Sequence, residues 1–559
     1  MKQFFTNKAA LLLCAFPIVA FFVFVVRHAV NVPYNDDSAL LETINAWSNA
    51  PNLQILVEQQ NVHRIFFPRL AALSLFLFNG ELNFRCQIIV GYLNLLLLAY
   101  AFFLVFKSLS LRFAYFTPVA FLLFSPVVYT VHIWSITAFQ YTLSIAFSLL
   151  ALYFIQPSKR KWWYLSILFS VFATLSNLDG ISSFAVCLLW LLAQKRFKES
   201  ALYGIFLIFY LWLFFQGFRF GSSTHSSFKP LDLAMGFVCM VGSAAKVLSD
   251  SNPFATSFAL GALMLTVFGV VLIKKWVQNF KSSTRSPAFT FVEISFVKLL
   301  TCLAMITVGR GVFSNGTVNI ASRFLIYSVS IAIVFYLLLL ANMPNSKTKN
   351  WLLGSFLLFS AAVNFVSYQK YEFEAKTHVE ALIADTHNFP KHGLFLHQYL
   401  NHPDPDLGFY AHYRFPQYFT PKALDDWQRA LLDPKAIDSP KIVTTQKITD
   451  RTTIEDPLLY DFYAIEVQNI DYQQIAPKAK TIFLCLIAPQ TNTSPQKLYL
   501  VSLQPNSQSW LQRITGKAKF TSVSSMFPAK LPKGNYVVGL CWSNQNIHEA
   551  MLLRKQIPL

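Results

Sequence analysis

From Ala9 to Tyr368 the chain is a succession of apolar runs, most of them about 17 to 23 residues long, separated by short polar connections. A helix of ~20 residues rising 1.5 Å each crosses a hydrocarbon core of ~30 Å, and in lipid a spanning backbone has to satisfy its own hydrogen bonds, which selects helix over irregular chain. The runs are Ala9–Val26, Phe84–Phe106, Phe113–Thr130, Phe139–Ile155, Trp162–Ser176, Ile181–Ala193, Ala201–Phe218, Phe254–Ile273, Phe289–Val308, Phe324–Asn342 and Trp351–Tyr368. They predict a polytopic α-helical membrane protein with about eleven transmembrane helices. Composition agrees: 54% of residues are hydrophobic, only 13% are charged and mean hydropathy is +0.43, against a charged share near 25% in soluble domains. A cleaved signal peptide is the competing reading of Ala9–Val26, but no small-x-small cleavage pattern follows it.

A net charge of +19 invites a nucleic-acid reading, which its distribution argues against. With the N-terminus placed in the cytoplasm, the inner connections carry Lys2, Lys8, Lys107, Arg112, Lys159, Arg160, Lys161, Lys195, Arg196, Lys198, Lys274, Lys275, Lys281, Arg285, Lys347 and Lys349, opposed only by Glu199. That bias is the positive-inside pattern, so the charge reports topology rather than a polyanion site, and no nucleic-acid partner is expected. Trp162–Ser176 and Ile181–Ala193 are short and basic at their cytoplasmic ends, which predicts a tight hairpin with Asp179 at its outer tip. Met235–Leu248 contains Lys246 and would invert everything after it if it spanned, so it reads as interfacial or re-entrant. Ile65–Phe78, interrupted by Pro68 and Arg69, reads as a helix lying in the outer interface.

Composition changes after Tyr368. Residues 369–559 carry a net charge of +3, against +16 for the remainder. They predict an extracytoplasmic α+β domain: a helical connecting region over 369–440 with helices at Ala375–Ala384 and Ala423–Leu432, then a β-sandwich of immunoglobulin-like type over 441–559. The expected strands are Lys441–Thr449, Phe462–Asn469, Thr481–Ile487, Lys497–Leu503, Lys517–Val523, Asn535–Trp542 and Ala550–Gln556, the sixth entered from the turn Pro532-Lys533-Gly534. Its histidines lack a metal-ligand spacing and read as surface residues. Cys485 and Cys541 are able to pair if this part is extracytoplasmic; the other five cysteines lie in apolar segments as packing residues. Asn492-Thr493-Ser494 fits a glycosylation acceptor formally.

The transmembrane part, 1–368, contains a first outer loop at 31–83 that concentrates polar groups. It opens with Asp36 and Asp37 and closes with His63, Arg64 and Arg69. Neighbouring carboxylates repel, so a shifted pKa, a cation or a basic partner is expected beside them, which is raw material for a general base or a metal site. The alternative is a solvated loop whose acids keep it in water, with Arg64 and Arg69 snorkelling to lipid headgroups.

The order Tyr34-Asn35-Asp36-Asp37, then Gln60-Asn61-Val62-His63-Arg64-Ile65, then Phe66–Phe78 ending in Asn79-Gly80, then Leu82-Asn83-Phe84-Arg85 opening the second span, resembles the GT-C glycosyltransferases. A bacterial branch of that superfamily also has counterparts of Ser176-Asn177-Leu178-Asp179-Gly180 and Ser322-Arg323-Phe324. Val62 departs from the acidic residue expected at its position. The resemblance covers residues 1–110 best, is patchy to 368 and carries no function beyond. It implies an inverting glycosyltransferase in the bacterial inner membrane that takes sugar from a polyprenyl-phosphate donor and gives it to an extracytoplasmic glycan or lipid of the cell envelope. Asp36 or Asp37 would be the general base. Arg64 and Arg323, then His63 and Arg310, would hold the donor phosphate, with Tyr34, Asn61 and Asp179 binding substrate. A divalent cation such as Mg or Mn bridging Asp36, Asp37 and the phosphate is compatible with this chemistry. Glu293 and Lys298 lie inside a span, too far apart for each other, and point to a polar cavity. A polymerase or ligase of polysaccharide, or a transporter or flippase of lipid-linked saccharides, are the rival functions; no internal repeat supports a transporter.

Overall fold

The computed structural model describes the chain except for residues 1–6, 220–228, 249–252, 282–288, 311–312, 315–316, 319, 398–406, 437–441, 450–460, 470–480, 489–495, 506–521, 529 and 545–546. Two compact units emerge: one comprises 1–27, 46–78 and 86–371, the other 28–45, 79–85 and 372–559.

Among the described residues, nine helices are long and apolar enough to cross a membrane. A tenth is available if the pair Phe113–Leu123 and Pro126–His132, bent by 44° at its break, makes one span. The expected count of eleven changes in two places. Tyr164–Ser176 and Leu178–Ala193 are short apolar helices rather than spans; thirteen residues cover only ~20 Å. Pro230–Leu248 qualifies by length and apolarity, contrary to the interfacial reading. Its helix begins five residues earlier than the apolar pattern suggests, because Pro230 occupies the first turn, where its missing N–H costs nothing. In the helical unit, Thr137–Ile155 and Leu325–Asn342 are buried almost all round and form the bundle centre. Asn7–His28, Phe197–Phe214 and Pro253–Lys281 leave most of their residues less than fully buried, as lipid-facing helices do. Gly242 and Gly261 pack backbone to backbone, and a Cβ at either would fall within about 2 Å of a carbonyl oxygen.

The expected boundary at Tyr368 falls inside a helix, close to the division between the units after Tyr371. Ser346–His392 is one helix of 47 residues that runs from the helical unit into the second, absorbing the predicted helix Ala375–Ala384.

In the second unit, two four-stranded antiparallel sheets share a core. One orders its strands Ile442–Thr449, Asp461–Gln468, Ser522–Pro528, Gln504–Pro505; the other Ile547–Pro558, Asn535–Asn544, Thr481–Ala488, Lys497–Ser502. Ile465 and Val467 of the first sheet meet Leu484, Leu486 and Val538 of the second. Strand Thr481–Ala488 is buried on both faces, since Phe483 and Ile487 pack on Trp427 and Leu431 of helix Pro421–Leu432. This explains its unbroken apolar run. Cys485 and Cys541 form a disulfide, consistent with an extracytoplasmic domain. Ser522 and Val523 of the expected strand Lys517–Val523 open a strand that runs to Pro528, while residues 517–521, Asn492 to Ser494, His402 and Arg285 lie outside the described residues.

Candidate functional site

The candidate residues form two groups, one in each unit. In the helical unit, Gln59–Gln60 and His63–Arg64 make a two-residue hairpin. Asn61, expected to bind substrate, sits at its turn with φ +51°, a conformation asparagine tolerates better than most residues. Arg64 donates from Nε to the Phe214 carbonyl at 3.0 Å, from Nη1 to Val57 at 2.6 Å and from Nη2 to Gln216 at 2.8 Å. Its guanidinium also lies over the Phe214 ring. Arg69 is buried and binds the carbonyls of Ile55 and Glu58. Both arginines therefore fasten main chain rather than snorkel, and Arg64 has three donors engaged before any phosphate arrives.

His63 is placed differently. Its Nδ1 accepts the Leu178 N–H at 3.2 Å, which leaves the proton of the neutral ring on Nε2. Burial, followed by the charges of Arg310 and Arg323, pushes His63 down to about 3. His63, Arg310 and Arg323 are thus one electropositive neighbourhood, assembled from the hairpin, the end of helix Phe291–Arg310 and the turn Ser322–Phe324.

The Leu178 amide belongs to the short turn Leu178–Ile181, whose neighbour Asp179 is buried. The carboxylate accepts from Asn177 Nδ2 at 2.5 Å, Ser144 Oγ at 3.1 Å and the Tyr327 hydroxyl at 2.8 Å. Below it Lys298 donates to the Asp179 carbonyl, to Ser182 Oγ at 2.7 Å and to Cys302 Sγ at 2.8 Å. Gly180 lies against Ala173, where a Cβ would fall 2.2 Å from main-chain atoms. Glu293 pairs with Lys275 at 2.6 Å, so Glu293 and Lys298 have separate partners, as their spacing implied. Ser144 gave no warning of this role, whereas Asn177 lay in the Ser176–Gly180 stretch without a role of its own. Tyr327 did carry a signal, since it lies four residues beyond Arg323, one helical turn.

Tyr34, Asp36 and Asp37 belong to the second unit. Asp37 is buried; its Oδ2 accepts the Tyr34 N–H at 2.9 Å while its own N–H returns to the Tyr34 carbonyl. This reciprocal closure makes Asp37 a structural cap of the turn Asn35–Asp37. Asp36 is half-buried. Around them stand residues that local sequence did not indicate. The Tyr34 ring meets His378 edge-on with centroids 4.6 Å apart, and Tyr413 is buried with its phenol raised well above the usual value by burial, then by Tyr418, Tyr410 and the Asp37 charge. Two of the described histidines of this unit depart from the surface reading: His387 is buried on the Leu498 carbonyl, and His397 pairs with Asp385 at 3.1 Å. Among the described residues no three His, Cys, Asp or Glu side chains gather as a metal site.

Fold and sites define a polytopic helical membrane protein with a C-terminal β-rich domain. Comparison with known protein families, with curated proteins and with solved structures finds no match to this chain.

Proposed function

We propose that the protein is a membrane glycosyltransferase that moves a sugar from a polyprenyl-phosphate donor to an extracytoplasmic acceptor, a cell-envelope glycan or lipid. The observation that carries this reading is the buried His63 ring, bonded through Nδ1 to the Leu178 amide and acted on by the charges of Arg310 and Arg323. Two guanidinium groups beside a neutral imidazole that keeps a ring N–H suit a phosphate, which accepts charge-assisted hydrogen bonds from planar donors. Asp179, whose carboxylate is fixed by three donors, gives the same neighbourhood a rigid wall. Asp36 remains the candidate base for the acceptor hydroxyl, with Asp37 shaping the turn that presents it. Arg64 contributes by holding the hairpin of His63 in place, and no step is routed through a cation.

The test is transfer of labelled sugar by the purified protein in liposomes supplied with a polyprenyl-phosphate sugar. Arg310→Gln and Arg323→Gln should each raise the KM for donor about ten- to a hundredfold, the worth of a charge-assisted bond of roughly 1.5–3 kcal/mol. Wild-type rates in the double variant would overturn the phosphate site. Movement of intact lipid-linked saccharide without transfer would favour a flippase.

A further inference from the structure

Both ends of the first outer loop are tied to chain that lies more than 300 residues away in sequence. Asn31 is the node at its start: its carbonyl accepts the Tyr413 hydroxyl at 2.6 Å, and its Oδ1 accepts the N–H of Phe84, at the loop's far end, at 2.8 Å. The Tyr413 ring packs on Phe84 with centroids 5.3 Å apart. His412 accepts the Leu82 N–H through its carbonyl, and Phe409 accepts from Asn45 Nδ2. A second attachment lies on the long helix, where Val30 and Val32 bury against Leu382 and Val379, and His378 receives Tyr34.

We infer that Tyr413 and His378 are positioning residues for the acidic pair, and that the chain beyond residue 371 forms part of the catalytic apparatus. The physical path is short. His378 fixes the Tyr34 ring, and Tyr34 exchanges two hydrogen bonds with Asp37, so rotation at Tyr34 re-aims the turn that carries Asp36. Tyr413 fixes the segment entering that turn through the Asn31 carbonyl. Its own segment is held by ring packing, with ring centroids of Tyr410 lying 5.0 Å from Phe389 and 5.1 Å from Phe415. For its catalytic half this inference rests on the transferase reading; the anchoring does not.

Two measurements on the full-length protein in nanodiscs separate them. Amide hydrogen exchange over residues 28–45 should rise about two- to tenfold in Tyr413→Phe and in His378→Ala, the loss expected for one buried hydrogen bond or one ring contact. Exchange in strand Thr481–Ala488 should stay unchanged, showing that the unit remains folded. Sugar transfer should lose kcat by a similar factor with the KM for donor unaltered, and His378→Phe, which keeps an aromatic edge beside Tyr34, should recover most of it. Unaltered exchange over 28–45 overturns the anchoring whatever the activity. Faster exchange with wild-type kcat overturns the positioning role. A wild-type protein that transfers no sugar fails the functional reading, while the exchange result still decides the anchoring.

Discussion

Replacing Arg64 with lysine keeps the charge and removes the fork, which distinguishes a phosphate ligand from a fastener of main chain. Nε, Nη1 and Nη2 reach the carbonyls of Phe214, Val57 and Gln216. These three acceptors come from two separate segments, so a single ammonium can serve one of them well, and two carbonyls lose a charged donor. In a buried setting each such bond is worth roughly 1.5–3 kcal/mol. Here the carbonyls are only partly shielded and water replaces some of the loss, so about 0.5–1.5 kcal/mol apiece is the fairer figure. Two bonds then amount to about 1–3 kcal/mol, a local opening equilibrium raised about five- to 150-fold. Amide exchange over 57–66 and 212–219 in Arg64→Lys measures that opening directly, and donor KM measured beside it should change less than in Arg323→Gln. Wild-type exchange in both segments together with a tenfold rise in donor KM would refute this assignment and return Arg64 to the phosphate.

Two further outcomes follow from the buried polar groups of the helical unit. Asp179→Asn removes the charge from all three bonds and leaves an N–H₂ group that the Tyr327 hydroxyl must turn round to accept; a loss of roughly 1–3 kcal/mol should appear as a melting temperature several degrees lower in detergent, and an unchanged melting curve would show that the carboxylate does not organise this turn. His63 has a folded pKa pushed down to about 3 from an ordinary 6.5, so its contribution is fully present above pH 6.5 and is lost as pH falls towards 3, by at most about 1.4 kcal/mol per pH unit; thermal stability of His63→Gln should therefore fall less steeply than that of the wild type between pH 6 and 4.5, and parallel slopes would refute the depressed value.

What could be seen in the sequence was whatever depends on a residue's own neighbours. Apolar run length located the membrane helices, and an unbroken apolar strand marked the central sheet of the second unit. It failed where length and hydropathy disagree with packing. Tyr164–Ser176 is apolar enough for a span, yet it buries Ser166 and Ser170 against the Tyr203 hydroxyl and stops after about 20 Å. Hydropathy also marks where solvent begins, which is not where a helix ends, so the rod Ser346–His392 ran unseen through the change at Tyr368. Charge is legible in the same limited way. Arg64 and His63 are adjacent in one motif, but the acceptors that engage Arg64 come from Val57, Phe214 and Gln216, and the arginines that surround His63 lie about 250 residues on. Residue type therefore nominated both side chains, and only the fold separates their work. Arg64 spends its donors on backbone, whereas His63 spends an acceptor on backbone, keeps its ring N–H and feels the charges of Arg310 and Arg323.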